Sequence, residues 1–306
     1  MKLIQGDCLE KMKDIPDGSV DLTVTSPPYD NLRKYNGYVF DFEGIAKELY
    51  RVTKDGGVVV WVVGDATIKG SETLTSMRQA LYFKDICGFN IHDTMIYSTN
   101  KPPLTHNRYD PAWEYMFILV KGKLRTWNPI KEKSKYAGQK RCSTMRQDGD
   151  FLSNRSAKGV VQDERLLTNL WYMPRSSLTD GKERVAHPAT FPMELAHRHI
   201  ISWSNEGDTV LDPMMGSGTT GKMAKILNRH FIGIEISKEY FAIATRRIED
   251  TDPLFQAGEV LTVENMEKGR EEEMKDILKI AIGVLMAGVL AVGGFLLLAY
   301  IAHLTT

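Results

Sequence analysis

The chain has 306 residues, enough for one large domain or two ordinary ones, with 42% hydrophobic and 25% charged residues. That composition is globular and excludes disordered, collagen-like and mucin-like chains. The 39 Lys/Arg and 39 Asp/Glu cancel, but the balance hides three blocks. Lys121 to Lys158 carries eleven bases against three acids, a net +8. Glu249 to Asp276 carries ten acids against three bases, a net −7, and Ile280 to Ala302 is a run of 23 uncharged residues.

Two short hydrophobic runs open the chain, Lys2-Leu3-Ile4-Gln5 and, after a Pro-Asp-Gly-Ser turn, Val20 to Thr25. Both read as strands, the second ending abruptly at Ser26-Pro27-Pro28. Phe42, Ile45, Ala46 and Leu49 have the i, i+3, i+4, i+7 spacing of an amphipathic helix. A turn at Lys54-Asp55-Gly56-Gly57 is expected next, then a buried strand at Val58–Val63. A helix around Thr73–Cys87 and strands at Ile91–Tyr97 and Tyr115–Lys121 follow. From Lys121 to about Val185 the rhythm fails, in a polar stretch without regular periodicity. It resumes with a helix at Pro192–Ser202, a strand at Thr209–Asp212, a glycine turn and a helix at Thr220–Asn228. A strand at His230–Glu235 and a helix at Lys238–Glu249 close the body. Strands alternating with helices predict an α/β fold built on a doubly wound, mostly parallel sheet with a basic insertion.

Cys8, Cys87 and Cys142 are far apart, and no Cys/His cluster exists, so neither a disulfide framework nor a metal site is indicated. A reducing cytoplasm is the expected compartment. The first residues are interrupted by charge after two apolar positions and do not read as a signal peptide.

Two motifs carry chemistry. The first is Asp212-Pro213-Met214-Met215-Gly216-Ser217-Gly218-Thr219-Thr220, a strand end, a tight turn and a helix start. Glycines there let the backbone approach a ligand closely. Glu235 ends the following strand, where an acid can accept hydrogen bonds from ribose hydroxyls. The lysine of a phosphate-binding loop is missing, which argues against ATP hydrolysis. A Gly-Ser-Gly turn alone is often a mere connection, but with strand, helix and acid around it an adenosine-type ligand is the better reading. The second motif is Thr25-Ser26-Pro27-Pro28-Tyr29. Its prolines lock φ and remove two N–H donors, leaving a rigid turn of acceptors. Ser26 and the Pro27 carbonyl suit an exocyclic amino group, and Tyr29 offers a face for a planar ring. Acceptors holding both N–H bonds take up the positive charge that develops as such a nitrogen attacks. Taken alone, a diproline turn could simply end an edge strand.

Together, in this order, the two motifs resemble those of the β-type amino DNA methyltransferases, which use S-adenosylmethionine and modify cytosine N4 or adenine N6. The resemblance covers roughly Lys2 to Arg247 and implies a Rossmann-like methyltransferase fold. It implies a catalytic turn of Ser26, Pro27, Pro28 and Tyr29. Cofactor contacts are implied for Asp7, His187, Asp212, Met214, Gly216, Gly218, Thr219 and Glu235, with Asp7 at the adenine and His187 near the methionine end. Met214 stands where the family usually has Phe, a change that fills the same apolar space. Ser in the first turn position favours cytosine N4, with adenine N6 as the alternative. Cytosine C5 chemistry would need a cysteine nucleophile, and no Cys here lies in a Pro-Cys context. The flipped base would attack the sulfonium methyl directly, with no covalent enzyme intermediate.

The expected domains are a catalytic half at 1–121, a target-recognition insertion at 122–186 and a cofactor half at 187–250. An acidic spacer at 251–279 and a hydrophobic helix at 280–302 follow. Lys131, Lys133, Lys135, Lys140, Arg141 and Arg146, interleaved with Trp127, Tyr136 and Phe151, suit phosphate contact and base readout. Double-stranded DNA is the implied partner, with a cognate restriction endonuclease as an optional companion in a restriction-modification system. The 280–302 run would span about 34 Å as a helix, enough for a bilayer core of ~30 Å. Gly283, Ala287 and Ala291 give it a small-residue face. It reads as a transmembrane tail anchor on a cytoplasmic enzyme, against the alternative of a buried oligomerisation helix. Competing functions are a DNA-binding protein of this fold without turnover, and methylation of RNA or a protein glutamine.

Overall fold

The computed structural model describes residues 1–28, 40–99, 109, 112–140, 144–148, 151–155, 160–173 and 192–251. The expectations for Tyr29, Arg141, His187, the acidic spacer and the 280–302 helix lie outside the described residues. Among the described residues, no helix is long and apolar enough to cross a membrane.

An eight-stranded sheet organises the molecule. Its strands are β1 (Lys2–Gln5), β2 (Val20–Thr25), β3 (Thr53–Val63), β6 (Asn90–Ser98), β7 (Trp113–Val120), β12 (Leu170–Tyr172), β13 (Thr209–Asp212) and β14 (His230–Glu235). Two short strands, β4 (Thr67–Ile68) and β5 (Ser71–Glu72), form a separate hairpin. The sheet order is β1-β14-β13-β2-β3-β7-β6-β12. Pairing is parallel from β1 to β3 and between β6 and β12, and antiparallel where β7 meets β3 and β6. The mostly parallel, doubly wound expectation therefore holds, with β7 as the reversed strand.

The helices are α1 (Cys8–Met12), α2 (Phe42–Val52), α3 (Thr75–Tyr82), α4 (Met193–Trp203), α5 (Thr219–Ile226) and α6 (Lys238–Glu249). α2 forms where expected and buries Ile45, Ala46, Leu49 and Val52. Asp41 caps it, accepting from the Gly44 amide at 3.0 Å. At its other end Lys121 Nζ donates to the carbonyls of Tyr50 (2.7 Å) and Thr53 (2.9 Å). A cation there satisfies orphan carbonyls and complements the helix dipole. In the core between β3 and α2, Phe42, Trp61, Phe83 and Phe89 meet edge to face or tilted, with Phe83 5.1 Å from Trp61 and 5.3 Å from Phe42. The buried Trp61 indole N–H is satisfied by Gln79 Oε1 at 2.8 Å.

Three local readings are corrected. The turn expected at Lys54–Gly57 lies inside β3 as an irregularity, where the register jumps from Val20↔Thr53 to Leu22↔Val58. Lys54 holds it by bonding both Asp21 oxygens, at 2.6 and 2.7 Å, and Gly56 turns through φ +81. The helix expected around Thr73–Cys87 is α3 followed by one π-helical turn, Phe83–Cys87, which ends at Gly88 with φ +91. The stretch from Lys121 to Val185, in which no periodicity is legible, contains short strands. β8 (Lys131–Lys133) pairs with β11 (Glu164–Leu166), and β9 (Thr144–Asp148) pairs with β10 (Phe151–Arg155). β12, from the same stretch, joins the edge of the main sheet.

Candidate active site

β13 leads through α5 to β14 on one side of the sheet, whereas β2 leads through α2 to β3 on the other. The connections therefore diverge between β13 and β2, and a crevice at such a switch point is where open α/β sheets bind ligands. Both motifs sit there, the glycine turn after β13 and the Ser-Pro-Pro turn after β2.

The glycine turn is pinned from two sides. The Met215 amide donates to the Ile234 carbonyl at 3.0 Å, and the Gly216 amide donates to Glu235 Oε2 at 2.9 Å. The Ser237 amide donates to Glu235 Oε1 at 2.9 Å. Burial pushes the Glu235 carboxyl up, while these amides pull it back down. Gly218 precedes α5 at φ +82, and a Cβ there would lie 3.0 Å from Ala244 Cβ and 3.1 Å from Ala244 Cα. Glycine is thus required twice over, by conformation and by the approach of α6. Thr219 opens α5 and is buried, and Met214 is half-buried against the core.

Asp212 is 1% exposed, with its carboxylate turned into the protein. Oδ1 accepts from Thr25 Oγ1 at 2.8 Å and from the Met214 amide at 3.2 Å, and Oδ2 accepts from Thr220 Oγ1 at 2.9 Å. Burial pushes its carboxyl up to about 6 against the opposing pull of these donors. Asp7 lies at the end of β1 and is exposed; its Oδ1 caps α1, accepting from the Leu9 amide at 2.8 Å. That helix went unread in the sequence.

Ser26 and Pro28 are half-buried and Pro27 is buried. Pro28 borders a cavity of about 450 Å³ that Phe40, Phe42, Arg78 and Tyr82 also line. Those aromatic walls were not anticipated, because they come from α2, from Phe40 just before it and from α3 rather than from either motif. Thr25 and Thr220 were also missed, although both stood inside the quoted motifs. Among the described residues, no group of three or more His, Cys, Asp or Glu could hold a metal ion.

The basic stretch is less uniformly available than its charge count implies. Lys121 belongs to the end of α2, as described above. Lys131 pairs with Glu164 at 3.3 Å across the β8–β11 ladder. Lys133, Lys135 and Lys140 are exposed, and Arg146 lies on β9. The stretch is rooted on α4: Trp127 stacks on Trp203 at 4.8 Å. Asn128 Nδ2 donates to the carbonyls of Ile201 (3.1 Å) and Ser204 (3.2 Å) and to Asn205 Oδ1 (3.2 Å).

A glycine turn and an acidic strand end, set beside a rigid Ser-Pro-Pro turn at the switch point of this sheet, make up a methyltransferase fold. Solved structures share it. The PvuII DNA methyltransferase (cytosine-N4-specific) matches with a TM-score of 0.61 at 22% identity, over 82% of this chain and 86% of that one. A Thermus thermophilus protein described as a DNA modification methylase, solved with S-adenosyl-L-methionine, matches with a TM-score of 0.57 at 24% identity, over 82% and 94%. The orphan methyltransferase M.BamHII of Bacillus amyloliquefaciens is 51% identical over 245 residues, covering 78% of this chain and 92% of that protein. The type II methyltransferase M.BglII of Bacillus subtilis is 30% identical over 274 residues, covering 79% and 67%. A family model for N6 and N4 methyltransferases, described as DNA methylase, matches residues 20–246. The chain belongs to this family of S-adenosylmethionine-dependent DNA methyltransferases.

The residues present fit that cofactor. Each Glu235 oxygen takes one backbone amide and keeps acceptor capacity for a ribose hydroxyl. The glycine turn brings no lysine to its tip, and acidic Asp7 and Glu235 suit the amino and hydroxyl donors of a nucleoside better than a phosphate.

Proposed function

We propose that this DNA methyltransferase transfers the methyl group to the exocyclic N4 of a flipped-out cytosine. The observation that carries the reading is Ser26 as the first residue of the Ser-Pro-Pro turn, one strand away from the cofactor turn. S-adenosylmethionine supplies an electrophilic methyl group on a sulfonium centre. Ser26 Oγ and the Pro27 carbonyl accept the two amino hydrogens of the base, concentrate the nitrogen lone pair toward that methyl, and stabilise the charge that develops. Tyr29 stacks on the flipped ring, Pro28 walls the pocket, and Asp7, His187, Met214, Gly216, Gly218, Thr219 and Glu235 hold the cofactor. Residues 122–186 contact DNA, with Lys131, Lys133, Lys135, Lys140, Arg141 and Arg146 supplying phosphate contacts. The uncharged run at 280–302 anchors the enzyme to a membrane; carbonate extraction that releases the full-length chain would refute the anchor.

Nucleoside mass spectrometry on DNA from cells expressing the chain tests the base assignment. N4-methylcytosine is expected; N6-methyladenine in its place overturns the choice of base. Ser26→Ala and Tyr29→Ala should retain cofactor binding but transfer little tritiated methyl to DNA. Full activity in either variant would remove that residue from the catalytic turn.

A further inference from the structure

The β13–β2 ladder pairs Val210 with Leu22 and Leu211 with Thr23. Beyond that ladder each strand runs on into its functional loop. Asp212 is the last residue of β13 and opens the cofactor turn, Thr25 is the last of β2 and precedes Ser26, and Thr220 lies in the first turn of α5, just past the cofactor turn. One carboxylate joins them, with Oδ1 2.8 Å from Thr25 Oγ1 and Oδ2 2.9 Å from Thr220 Oγ1. The Thr220 hydroxyl also lies 3.3 Å from the Val24 carbonyl. Thr25 and Thr220 are both fully buried. The bases of both loops are therefore tied at the point where the ladder between the strands ends.

We infer that Thr25 and Thr220, acting through Asp212, are positioning residues that fix the catalytic turn against the cofactor turn and so set the approach of the amino nitrogen to the methyl group. This rests on the methyl-transfer reading above. In-line displacement is steep in distance and angle: a misplacement of about 1 Å can cost ~100-fold in rate. A hydroxyl–carboxylate bond is short and directional, whereas apolar contact at the same place would allow the loops to slide. Burial pushes the carboxyl up while the two threonine hydroxyls and the Met214 amide pull it back down, so the donors that tie the loops are also the ones that favour the ionised group. None of the three side chains needs to touch cofactor or DNA to act in this way.

The test uses the full-length chain and the variants Thr25→Val, Thr25→Ser and Thr220→Val. Thr25→Val keeps the shape and removes the hydroxyl; Thr25→Ser keeps the hydroxyl and removes a methyl. Initial rates of tritiated methyl transfer to DNA give kcat and KM, and calorimetry gives the Kd of S-adenosylhomocysteine. Thr25→Val should lose about tenfold or more in kcat with Kd changed less than about threefold, and Thr25→Ser should recover most of the wild-type kcat. Thr220→Val should show the same kcat loss, which keeps the proposal exposed if Thr25→Val does not fold. The proposal is overturned by wild-type kcat in the valine variants, by equal loss in valine and serine variants at position 25, or by a kcat loss matched by the loss of S-adenosylhomocysteine binding. A wild-type chain that transfers no methyl to DNA overturns the methyl-transfer reading and this proposal with it. An active wild type with unimpaired valine variants overturns the proposal alone.

Discussion

Glu235 Oε2 accepts the amide of Gly216 at 2.9 Å, so the acid at the end of β14 reaches back nineteen residues to hold the middle of the glycine turn. Its other oxygen holds the Ser237 amide, and the side chain is only 8% exposed. The acid proposed to receive a ribose hydroxyl thus also shapes the glycine turn. Glu235→Gln turns one acceptor into a donor facing a backbone N–H, and Glu235→Ala removes both. Binding of S-adenosylhomocysteine by calorimetry should weaken about tenfold in Glu235→Gln and about 100-fold in Glu235→Ala, at ~1.4 kcal/mol per tenfold. DNA affinity measured without cofactor should be unchanged.

Lys121 and Lys140 both belong to the basic run but should behave differently. Lys121 caps α2, so Lys121→Met should lower unfolding free energy by about 1–2 kcal/mol and leave the salt dependence of DNA binding as it was. Lys140 is exposed, and Lys140→Ala should leave stability within about 0.5 kcal/mol. It should also flatten the slope of log K against log salt by ~0.9. Urea unfolding and fluorescence anisotropy at several salt concentrations separate the two.

Asn128 gathers acceptors from the end of α4 onto one side-chain amide. Asn128→Ala strands those carbonyls and frees Trp127 to leave Trp203. A loss of about 1–3 kcal/mol in unfolding free energy is expected. With it should come a higher KM for DNA at nearly constant kcat, since the basic stretch loses its footing while the reacting groups keep theirs.

His199 is fully buried on α4, with Nδ1 accepting the Trp203 indole N–H at 3.2 Å and Nε2 3.2 Å from Met116 Sδ. Burial, helped by the Arg198 charge, pushes its imidazolium down to about 3, and burial pushes His197 down to about 4. Both folded-state values lie below the ordinary 6.5. The unfolded chain therefore takes up protons first as pH falls. The contribution of each histidine is intact above 6.5 and shrinks by ~1.4 kcal/mol per pH unit below it, until the folded value is reached. His199→Gln, which can still accept from Trp203, should remove one of these two slopes. Urea unfolding at pH 7, 6 and 5 should show the wild type losing more than the variant, by about 0.7 kcal/mol from pH 7 to 6 and about 1.2 kcal/mol from pH 6 to 5. Parallel curves would refute the assignment.

Periodicity and turn chemistry made most of the central sheet legible, because β2, β3, β7 and β13 are largely buried and the helices carry a single apolar stripe. β13, β14 and α6 lie at their expected bounds. The β3 irregularity was hidden because Lys54-Asp55-Gly56-Gly57 has the composition of a turn, and only the Lys54–Asp21 pair and the neighbouring strands make it part of the sheet. α1 is five residues long, too short for an apolar period to show. The two active-site motifs could be read from residue types alone, but the role of Asp212 could not. An acid before a glycine turn looks the same whether it faces a ligand or, as here, two threonines from separate elements. Lys121 could not be told from the other lysines of the run for a related reason: charge is visible in a sequence, but the carbonyls that Lys121 serves are brought to it by the fold.

β12 has a consequence beyond its three residues. The stretch that begins on α4 at Trp127 and Asn128 returns to the main sheet at Leu170–Tyr172, so both of its feet stand on the rigid body. A loop with fixed ends can be exchanged without renegotiating the scaffold, since doubling its length adds only about 0.6 kcal/mol of closure entropy. If the segment between Ile130 and Asn169 contacts DNA as proposed, it can act as a cassette: transplanted between chains that share these two footholds, it should carry its preference among DNA sequences while the rest of the sheet stays where it is.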